Sequence, residues 1–294
     1  MITPALEDAL RVALDLRSAP RASGAVGGGS INDAGRYETE RGPIFVKRGA
    51  RAAYAMFAAE AAGLNAMAQT QTVRTPAVLA VGEWAHGAYL ALEWITLERA
   101  DRSAEALLGE QLAWLHRTTQ AEFGWSRDNT IGATPQVNTP SSDWPTFFRE
   151  QRLRYQLRLA ASHGASAKLC AAGERLCEAV GAFFDAYRPT PSLLHGDLWG
   201  GNWGADADGL PVLFDPAVYF GDREADIAMT RLFGGFGAAF YTAYRSTWAL
   251  DAGAEVRTTL YNLYHVLNHF NLFGGGYASQ AEGMIEQLLA EVRG

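Results

Sequence analysis

The sequence predicts an α+β protein of two lobes: a small β-rich N-terminal lobe with one key helix, and a larger, mainly α-helical C-terminal lobe. Three observations lead to this prediction. The 294 residues are enough for one large domain or two lobes. Alternating apolar patterns are concentrated before about residue 95, and helical periodicity dominates after about residue 103. We therefore expect lobes at residues 1–95 and 96–294, with segment 91–97 crossing a cleft between them.

The individual elements follow from periodicity and turn signals along the chain. The small lobe is expected to contain helices at 4–16 and 51–69 and strands near 22–31, 35–40, 43–48, 77–82 and 88–94. The large lobe is expected to contain helices at 103–119, 144–162, 167–187, 224–232, 236–247, 254–271 and 277–292, with strands at 192–196 and 210–215. One long helix thus interrupts the strands of the small lobe.

Composition and charge exclude several classes of protein. Hydrophobic residues make up 48% and charged residues 19%, an ordinary globular composition. A net charge of −7 argues against broad affinity for nucleic acids. There is no apolar run of membrane-spanning length and no signal-peptide pattern, so we expect a cytoplasmic protein that does not bind membranes. Cys170 and Cys177 lie about 10 Å apart in a helical pattern, which predicts free thiols.

The stretch LLHGDLWGGNWG, residues 193–204, carries the strongest chemical signal. Asp197 precedes Asn202 by five positions, the spacing at which kinase catalytic loops place a base and a metal ligand. His195, beside the aspartate, is expected to hold the loop by hydrogen bonds rather than to transfer protons. The alternative interpretation of this stretch is a capped turn without catalytic chemistry.

A hairpin after Asn202 connects this loop to a second carboxylate. Asp208-Gly209 favours a two-residue turn, and counting outward from it pairs Asn202 with Asp215, with Cβ atoms about 5 Å apart. A longer turn would shift this register. Two oxygen ligands at that separation can share one Mg²⁺ ion that also binds nucleotide phosphates.

The small lobe contains the cation that a phosphotransferase needs. In the strand-like segment IFVK, residues 44–47, alternation puts Phe45 and Lys47 on one face. In the following helix, Glu60 lies on the same side as the apolar residues Phe57 and Leu64. A carboxylate on that side needs a partner, and Lys47 is the natural one. The alternative is an edge-strand lysine with an unrelated surface glutamate.

Upstream, AVGGGSIN at residues 25–32 lies between two strand-like runs. Its glycines permit close approach of the backbone to a phosphate, although many glycine triplets are plain turns. We expect Gly27, Gly28, Gly29 and Ser30 to contact the nucleotide because they precede Lys47 at a suitable distance.

With these residues assembled, the chain resembles the fructosamine kinase (ketosamine-3-kinase) family, a branch of the aminoglycoside-phosphotransferase-like kinases with the bilobal protein-kinase fold. The likeness runs nearly end to end. It rests on GGGSIN, FVK, FAAEAAGL, RTPAVLAVG, DNTIGATPQ, DWPTFFREQRL, LLHGDLWGGN, FDPAVYFGDREADIAM, LFGGF and YHVLNHFNLFGGGY. The HGDxxxxN pattern is shared by the wider superfamily, whereas DNTIGATPQ and the DPAVYFGDREADIAM block point to fructosamine kinases.

The resemblance implies a reaction and its cofactors. An enzyme of this family uses ATP with Mg²⁺ to phosphorylate the sugar 3-hydroxyl of a ketosamine, the adduct of a reducing sugar and an amine. The 3-phosphate decomposes and frees the amine, which is deglycation. The partner is a small-molecule or protein-bound ketosamine; the sequence leaves open which sugar, which amine and which oligomeric state.

The resemblance also implies roles for residues at matching positions. Asp197 is the base for the sugar hydroxyl, Asn202 and Asp215 hold the metal, and Lys47, oriented by Glu60, binds phosphate oxygens.

Adenine contacts and substrate contacts follow from the same likeness. Backbone groups near Glu93, Trp94 and Ile95 hold adenine, with Phe45 against the ring. Trp199 contacts the sugar, with core packing as the alternative, and Asn129 lies in a loop near the substrate or in a capped turn.

The sequence departs from many relatives in the glycine-rich loop and from protein kinases after Asp215. Ser30 stands where many relatives have a cysteine, so we expect no disulfide switch in the glycine-rich loop. Pro216 follows Asp215, and only six residues separate Asp215 from Asp222. These are too few for an activation segment, so we expect activity without phosphorylation.

Two alternative functions stay open. They are another small-molecule kinase, for an aminoglycoside, choline or homoserine-type substrate, and a nucleotide-binding module without catalysis.

Further along, two polar clusters are expected to be structural. Asp222, Arg223, Glu224 and Asp226 favour an internal ion-pair network that braces the metal site. His265, Asn268, His269 and Asn271 share one side of a helix and favour hydrogen-bonded packing against the catalytic core.

Overall fold

A five-stranded antiparallel sheet forms the N-terminal part of the protein. A computed structural model describes residues 4–25 and 33–292. The strands are β1 (Arg21–Ala25), β2 (Asp33–Thr39), β3 (Gly42–Gly49), β4 (Val78–Trp84) and β5 (Gly87–Glu93), in the order β1-β2-β3-β5-β4. Lys47 in β3 pairs with Leu90 in β5, so the lysine lies in the middle of the sheet.

Helices cover both faces of this sheet. Helix α1 (Pro4–Ala13) packs Leu6 and Leu10 against Ile44 and Val46 of β3. Helix α2 (Tyr54–Gln69), which follows a 3₁₀ turn at Arg51–Ala53, packs on the other face with Phe57, Ala61 and Leu64 against Leu90 and Leu92. Because side chains alternate along β3, Phe45 and Lys47 both face the α2 side, as the pattern of IFVK predicts.

Helices dominate the chain after the sheet, and the predicted α+β class is confirmed. They are α3 (Arg102–His116), α4 (Trp144–Phe147), α5 (Arg154–Ser162), α6 (Ala167–Ala179), α7 (Glu224–Leu232), α8 (Ala238–Thr247), α9 (Ala254–Phe273) and α10 (Tyr277–Glu291). Among the described residues, the largest apolar cluster includes Tyr261, Leu263 and Leu267 of α9. Helix α9 packs against α5, α7 and α10, so it forms the centre of this part of the protein.

Three short antiparallel strand pairs complete the C-terminal part. They are β6 (Asn129–Ile131) with β7 (Thr134–Gln136), β8 (Ser192–Leu194) with β11 (Tyr219–Gly221), and β9 (Trp203–Ala205) with β10 (Pro211–Leu213). Strands β6, β7 and β11 are missing from the sequence prediction, and β9 enters it only as one side of the hairpin expected after Asn202. Strands of three residues are too short to show a period of two.

Two long predicted helices are interrupted. The helix predicted at 144–162 contains a π-helical stretch at Phe148–Leu153, and the helix predicted at 167–187 changes to a 3₁₀ helix at Val180–Phe184. Apolar periodicity continues across both changes, because a π or 3₁₀ turn shifts the buried face by less than one residue position per turn. The remaining helix bounds agree with the prediction to within a few residues.

The predicted register of the hairpin after Asn202 is wrong by one residue. Leu213 pairs with Trp203 and Pro211 with Ala205, so the connection is longer than the two-residue turn expected at Asp208-Gly209. The carboxylate of Asp206 accepts hydrogen bonds from the backbone N–H groups of Asp208 and Leu210, both at 2.9 Å, and these bonds stabilise the longer loop. Asn202 and Asp215 are therefore not a cross-strand pair.

The two cysteines are free, as predicted: Cys177 is buried and Cys170 is half-buried. Within residues 4–25 and 33–292, no helix combines the length and the apolar character needed to cross a membrane. The division of the chain at residues 95 and 96 stays a prediction.

A buried histidine on α9 makes stability sensitive to acid. His265 is 5% exposed, and its Nδ1 has no hydrogen-bond partner among the described residues. Burial, together with the nearby His269 and Arg152, lowers the pKa of His265 to about 3, and Asp226 opposes the shift. The folded protein therefore keeps this ring neutral between about pH 6.5 and 3, where the ring protonates in an unfolded chain.

Replacing His265 with phenylalanine removes this titration. Relative to the unmodified protein, we expect the free energy of unfolding of His265→Phe to rise by about 1.4 kcal/mol for each pH unit below about 6. Urea unfolding at pH 7.5, 6 and 5 measures this difference. Other titrating groups are the same in both proteins and cancel, so a difference that does not change with pH contradicts the prediction.

Candidate active site

A cavity of about 580 Å³ separates the sheet from the helical part of the chain. Its walls come from β3, α2, the segment after β5, the β6–β7 hairpin and the loops around β9 and β10. The site residues predicted from the sequence that line it are Phe45, Lys47, Glu60, Glu93, Trp94, Ile95, Asn129, Asp197, Trp199, Asn202 and Asp215. The fold thus brings together residues that are up to 170 positions apart. Gly27, Gly28, Gly29 and Ser30 lie outside the described residues.

Lys47 connects the two sides of the cavity. Its Nζ lies 2.7 Å from Oε1 of Glu60 on α2 and 2.5 Å from Oδ1 of Asp215. Burial by itself lowers the pKa of Lys47, but the charges of Glu60 and Asp215 outweigh burial and raise the pKa above its ordinary value. The lysine is therefore a fixed cation on the cavity wall.

The loop that carries Asp197 begins at a sharp turn after β8. Gly196 has a φ of 82°, and a Cβ there would lie 2.1 Å from the carbonyl oxygen of Ala217. Only glycine fits this position without displacing the backbone. His195, the residue before, contacts the carbonyl oxygen of Phe214 through Nε2 at 3.0 Å, in agreement with a scaffold role.

Asp226, at the start of α7, fixes the backbone of this loop through hydrogen bonds. Its carboxylate accepts hydrogen bonds from the backbone N–H of His195 at 2.7 Å and of Gly196 at 2.9 Å. The Nε2 of His116 lies 3.1 Å from the same carboxylate. Burial raises the pKa of Asp226, but these bonds and the nearby histidines outweigh burial and keep the pKa below its ordinary value. The ionised carboxylate thus fixes the backbone before Asp197.

The rest of the acidic cluster predicted in this region is also buried and hydrogen-bonded. Asp222 accepts hydrogen bonds from the hydroxyls of Tyr187 and Tyr261, and Glu224 pairs with Arg257 at 2.7 Å. The expected internal ion-pair network is confirmed only in part, because Glu224 forms an ion pair whereas Asp222 accepts from tyrosines and Arg223 donates to the carbonyl oxygens of Trp248 and Ala249.

Asp197 and Asn202 lie side by side at the base of the cavity. The amide of Asn202 donates to the carbonyl oxygen of Asp197 at 2.8 Å and reaches its carboxylate at 3.3 Å. Burial and the charge of Asp215 raise the pKa of Asp197 to about 7, while the hydrogen bond from Asn202 opposes the shift. Asp215 has a left-handed φ of 56°, a conformation that is uncommon outside glycine and is enriched at functional sites.

An ion-pair cluster that the sequence analysis missed joins the two parts of the protein. Arg74 contacts Oε1 of Glu93, at the end of β5, at 2.9 Å and also pairs with Asp206 in the β9–β10 loop. The second oxygen of Glu93 accepts from the backbone N–H of Ala77 at 3.1 Å. Both carboxylate oxygens of Glu93 are thus bonded to other groups of the protein. No spacing pattern could reveal this cluster, because Arg74 and Asp206 are 132 positions apart.

Asn129 and Trp199 occupy different kinds of position. The amide of Asn129 donates to the carbonyl oxygen of Val218 at 2.7 Å, and its oxygen accepts from Gln136 and Asn138. Its side chain therefore braces the β6–β7 hairpin at the cavity edge. Trp199 is 38% exposed, so packing in the core, the alternative for this residue, does not describe its position.

A phosphotransferase with the protein-kinase-like fold is the class that this cleft defines. A fixed cation on the sheet faces an aspartate and an asparagine on a loop of the helical part, which is the arrangement that phosphoryl transfer requires. Similarity to known proteins identifies the family within this class of phosphotransferases. The chain belongs to the fructosamine kinase family, whose model matches residues 4–291.

Curated relatives support this assignment. A Synechocystis protein named "probable ketoamine kinase" is 46% identical over 266 residues, which cover 90% of this chain and 89% of that protein. A chloroplastic protein-ribulosamine 3-kinase of Arabidopsis thaliana is 45% identical over 269 residues, covering 90% and 82%.

Solved structures agree with the fold. A Thermobifida fusca structure assigned as a fructosamine-3-kinase superposes with a TM-score of 0.87 at 30% identity, covering 98% of this chain and all of that one. An aminoglycoside phosphotransferase bound to ADP and hygromycin B has a TM-score of 0.64 at 15% identity, covering 99% of each chain. The second likeness concerns the fold alone. The chain is an ATP-dependent kinase of this family.

Proposed function

We propose that this enzyme phosphorylates the 3-hydroxyl of the sugar in ketosamines and so initiates their deglycation. The observation that carries the proposal is the position of Asp197, which faces the same cavity as Lys47 in a chain that belongs to the fructosamine kinase family. Relatives named as ketoamine and ribulosamine kinases support the substrate class.

The nucleotide fits the side of the cavity next to the sheet. Phe45, Leu92, Trp94 and Ile95 offer apolar surface for adenine, and the backbone after β5 offers hydrogen-bonding groups. Lys47, fixed by Glu60, lies where it would bind phosphate oxygens. That Gly27, Gly28, Gly29 and Ser30 contact the nucleotide stays a prediction from the sequence, since they lie outside the described residues.

Asn202 and Asp215 are the residues that would hold Mg²⁺. Asn202 uses its amide N–H groups toward Asp197, which leaves its amide oxygen to act as a ligand, and Asp215 is 42% exposed to the cavity. Amide and carboxylate oxygens are the donors that Mg²⁺ prefers, with its other ligands supplied by phosphates and water. When bound, the ion neutralises charge on the phosphate oxygens.

The roles of the protein groups then follow from their chemistry. Asp197 accepts the proton of the sugar 3-hydroxyl as the oxygen forms a bond to the γ-phosphorus and the bond to ADP breaks. A pKa of about 7 suits a base that works near neutral pH. Asp226 and His195 act through the backbone, because they fix the loop on which Asp197 lies.

The alternative of a nucleotide-binding module without catalysis is disfavoured by the same geometry. A binding module needs no base opposite the phosphate-binding lysine, yet Asp197 and Lys47 line one cavity. The alternative of an aminoglycoside, choline or homoserine-type kinase differs only in substrate, so substrate turnover distinguishes it.

The experiment is a substrate panel with Mg-ATP and measurement of ADP release. Ribulosamine, erythrulosamine and fructosamine adducts of one amine are compared with an aminoglycoside and choline. We expect turnover of ketosamines, with ³¹P NMR showing the phosphate on the 3-oxygen. Turnover of a control compound alone, or nucleotide binding without any turnover, contradicts the proposal.

A further inference from the structure

Two short motifs with the same sequence, LFGG, lie at the ends of two helices of the C-terminal part. One is Leu232–Gly235 after α7 and the other is Leu272–Gly275 at the end of α9. The glycines have positive φ values, 74° and 95° in the first motif and 65° at both glycines of the second. Helix α7 ends at Leu232 and α9 at Phe273, and Phe233 and Phe273 stay 40% and 58% exposed.

Both phenylalanines contact the same histidine. The ring centroid of His269 on α9 lies 4.7 Å from Phe233 and 5.6 Å from Phe273. The ring centroid of Tyr277 lies 5.2 Å from that of His269, and Phe233 meets Trp199 edge-on at 6.5 Å. We call these five residues, Trp199, Phe233, His269, Phe273 and Tyr277, the aromatic strip. It is continuous from the cavity wall to the protein surface.

The aromatic strip is held in register with the catalytic loop by backbone contact. A Cβ on Gly235 would lie 2.6 Å from Cα of Gly200, and a Cβ on Gly200 would lie 2.9 Å from Cα of Gly235. Trp203 also donates from Nε1 to the carbonyl oxygen of Gly235 at 3.3 Å. Since Gly200 is three residues after Asp197, the strip has a fixed position relative to the base.

The chemistry of a ketosamine places its amine near the start of the aromatic strip; this step depends on the function proposed above. The nitrogen is four bonds from the 3-oxygen, a distance of about 5 Å. When the 3-oxygen is at Asp197, the nitrogen lies within that distance of it, and Trp199, two residues after Asp197, lines the same cavity.

The electrostatics of the aromatic strip suit an ammonium group with an apolar substituent. No member of the strip is a lysine or arginine. Burial lowers the pKa of His269, and its Nδ1 donates to the carbonyl oxygen of His265 at 2.8 Å, so the ring is neutral near pH 7. The faces of aromatic rings attract cations, and their area binds apolar groups.

We propose that the aromatic strip binds the substituent on the ketosamine nitrogen and selects amines that carry an aromatic or apolar group. Phe233 and Phe273 are the specificity-determining residues, because they extend the surface beyond Trp199. A methyl substituent is too short to reach them, whereas a benzyl group lies against the first ring.

The test compares ketosamines of one sugar formed with benzylamine, methylamine and β-alanine. We expect the unmodified enzyme to have a KM at least fivefold lower for the benzylamine adduct than for the other two. Phe233→Ala should raise the KM for the benzylamine adduct at least fivefold more than the KM for the methylamine adduct. Trp114→Ala is the matched control, since Trp114 is 49% exposed on α3 and contacts Arg117 rather than the strip.

The outcomes separate this inference from the proposed function. Equal KM values for the three adducts, or equal effects of Phe233→Ala on all of them, overturn the selectivity while the ketosamine kinase function stands. Absence of turnover for every adduct overturns both. If Phe233→Ala does not fold, Phe273→Ala takes its place in the same comparison. If Phe273→Ala changes the oligomeric state in sedimentation but leaves the ratios of KM between adducts unchanged, the strip contacts a second copy of the chain and the inference is wrong.

Discussion

Replacement of Asp197 by asparagine should reduce kcat by about 10³-fold, because the variant has no base for the sugar hydroxyl. The change is nearly isosteric, and the amide of Asn202 can still donate to the side-chain oxygen and the backbone carbonyl at position 197. Lys47 and Glu60 are untouched, so the affinity for ATP should change by less than about threefold. ADP release at saturating ketosamine measures kcat, and calorimetry measures nucleotide binding.

Asp208→Asn is the matched control for Asp197→Asn. Asp208 is an exposed aspartate in the β9–β10 loop of the same part of the chain. Its replacement should leave kcat within about twofold. Full activity of Asp197→Asn would show that another group accepts the proton, whereas loss of ATP binding would show that the variant disturbs the cavity.

Replacement of Asp226 by alanine should have the largest effect on stability. The change leaves the backbone N–H groups of His195 and Gly196 and the ring of His116 without their acceptor in a buried region. Each buried donor without a partner costs about 1–3 kcal/mol, so for three such groups we expect a loss of about 3–9 kcal/mol in the free energy of unfolding. That is a large part of the stability of a typical domain.

Urea unfolding followed by circular dichroism measures this loss. Asp226→Asn keeps one acceptor oxygen and should lose less than Asp226→Ala, and Asp208→Ala should lose less than about 0.5 kcal/mol. Activity of folded Asp226→Ala should fall through kcat, since the loop that carries Asp197 is no longer fixed. A loss of stability no greater than that of Asp208→Ala would refute the bracing role of Asp226.

Local sequence determined the elements of the site. Alternation along β3 placed Phe45 and Lys47 on one face, and helical periodicity in α2 placed Glu60 opposite the lysine. The five-residue spacing of Asp197 and Asn202 determined that the two residues lie close together, because a short loop limits the distance between its residues. These relations extend over fewer than 20 positions, where the geometry of helices, strands and loops is sufficient to predict them.

The conformation of the turn after Asn202 limited how well the position of Asp215 could be predicted from the sequence. The Asp-Gly dipeptide correctly signals a hairpin, but the carboxylate of Asp206 stabilises a longer loop and shifts the register by one residue. The contact of Asp215 with Lys47 therefore does not follow from the hairpin. It joins residues 168 positions apart, and only the packing of the sheet against the helical part brings them within 2.5 Å.

The sequence by itself thus determined the class of fold, the lysine–glutamate pair and the catalytic loop, since each depends on backbone periodicity or on a short spacing. The tertiary structure decided the Arg74 cluster, the bracing of the loop by Asp226 and the aromatic strip. The two LFGG motifs are 40 positions apart and carry no signal that they meet. They converge on His269 because α7 packs along α9, a contact set by the shape of the whole core rather than by local pattern.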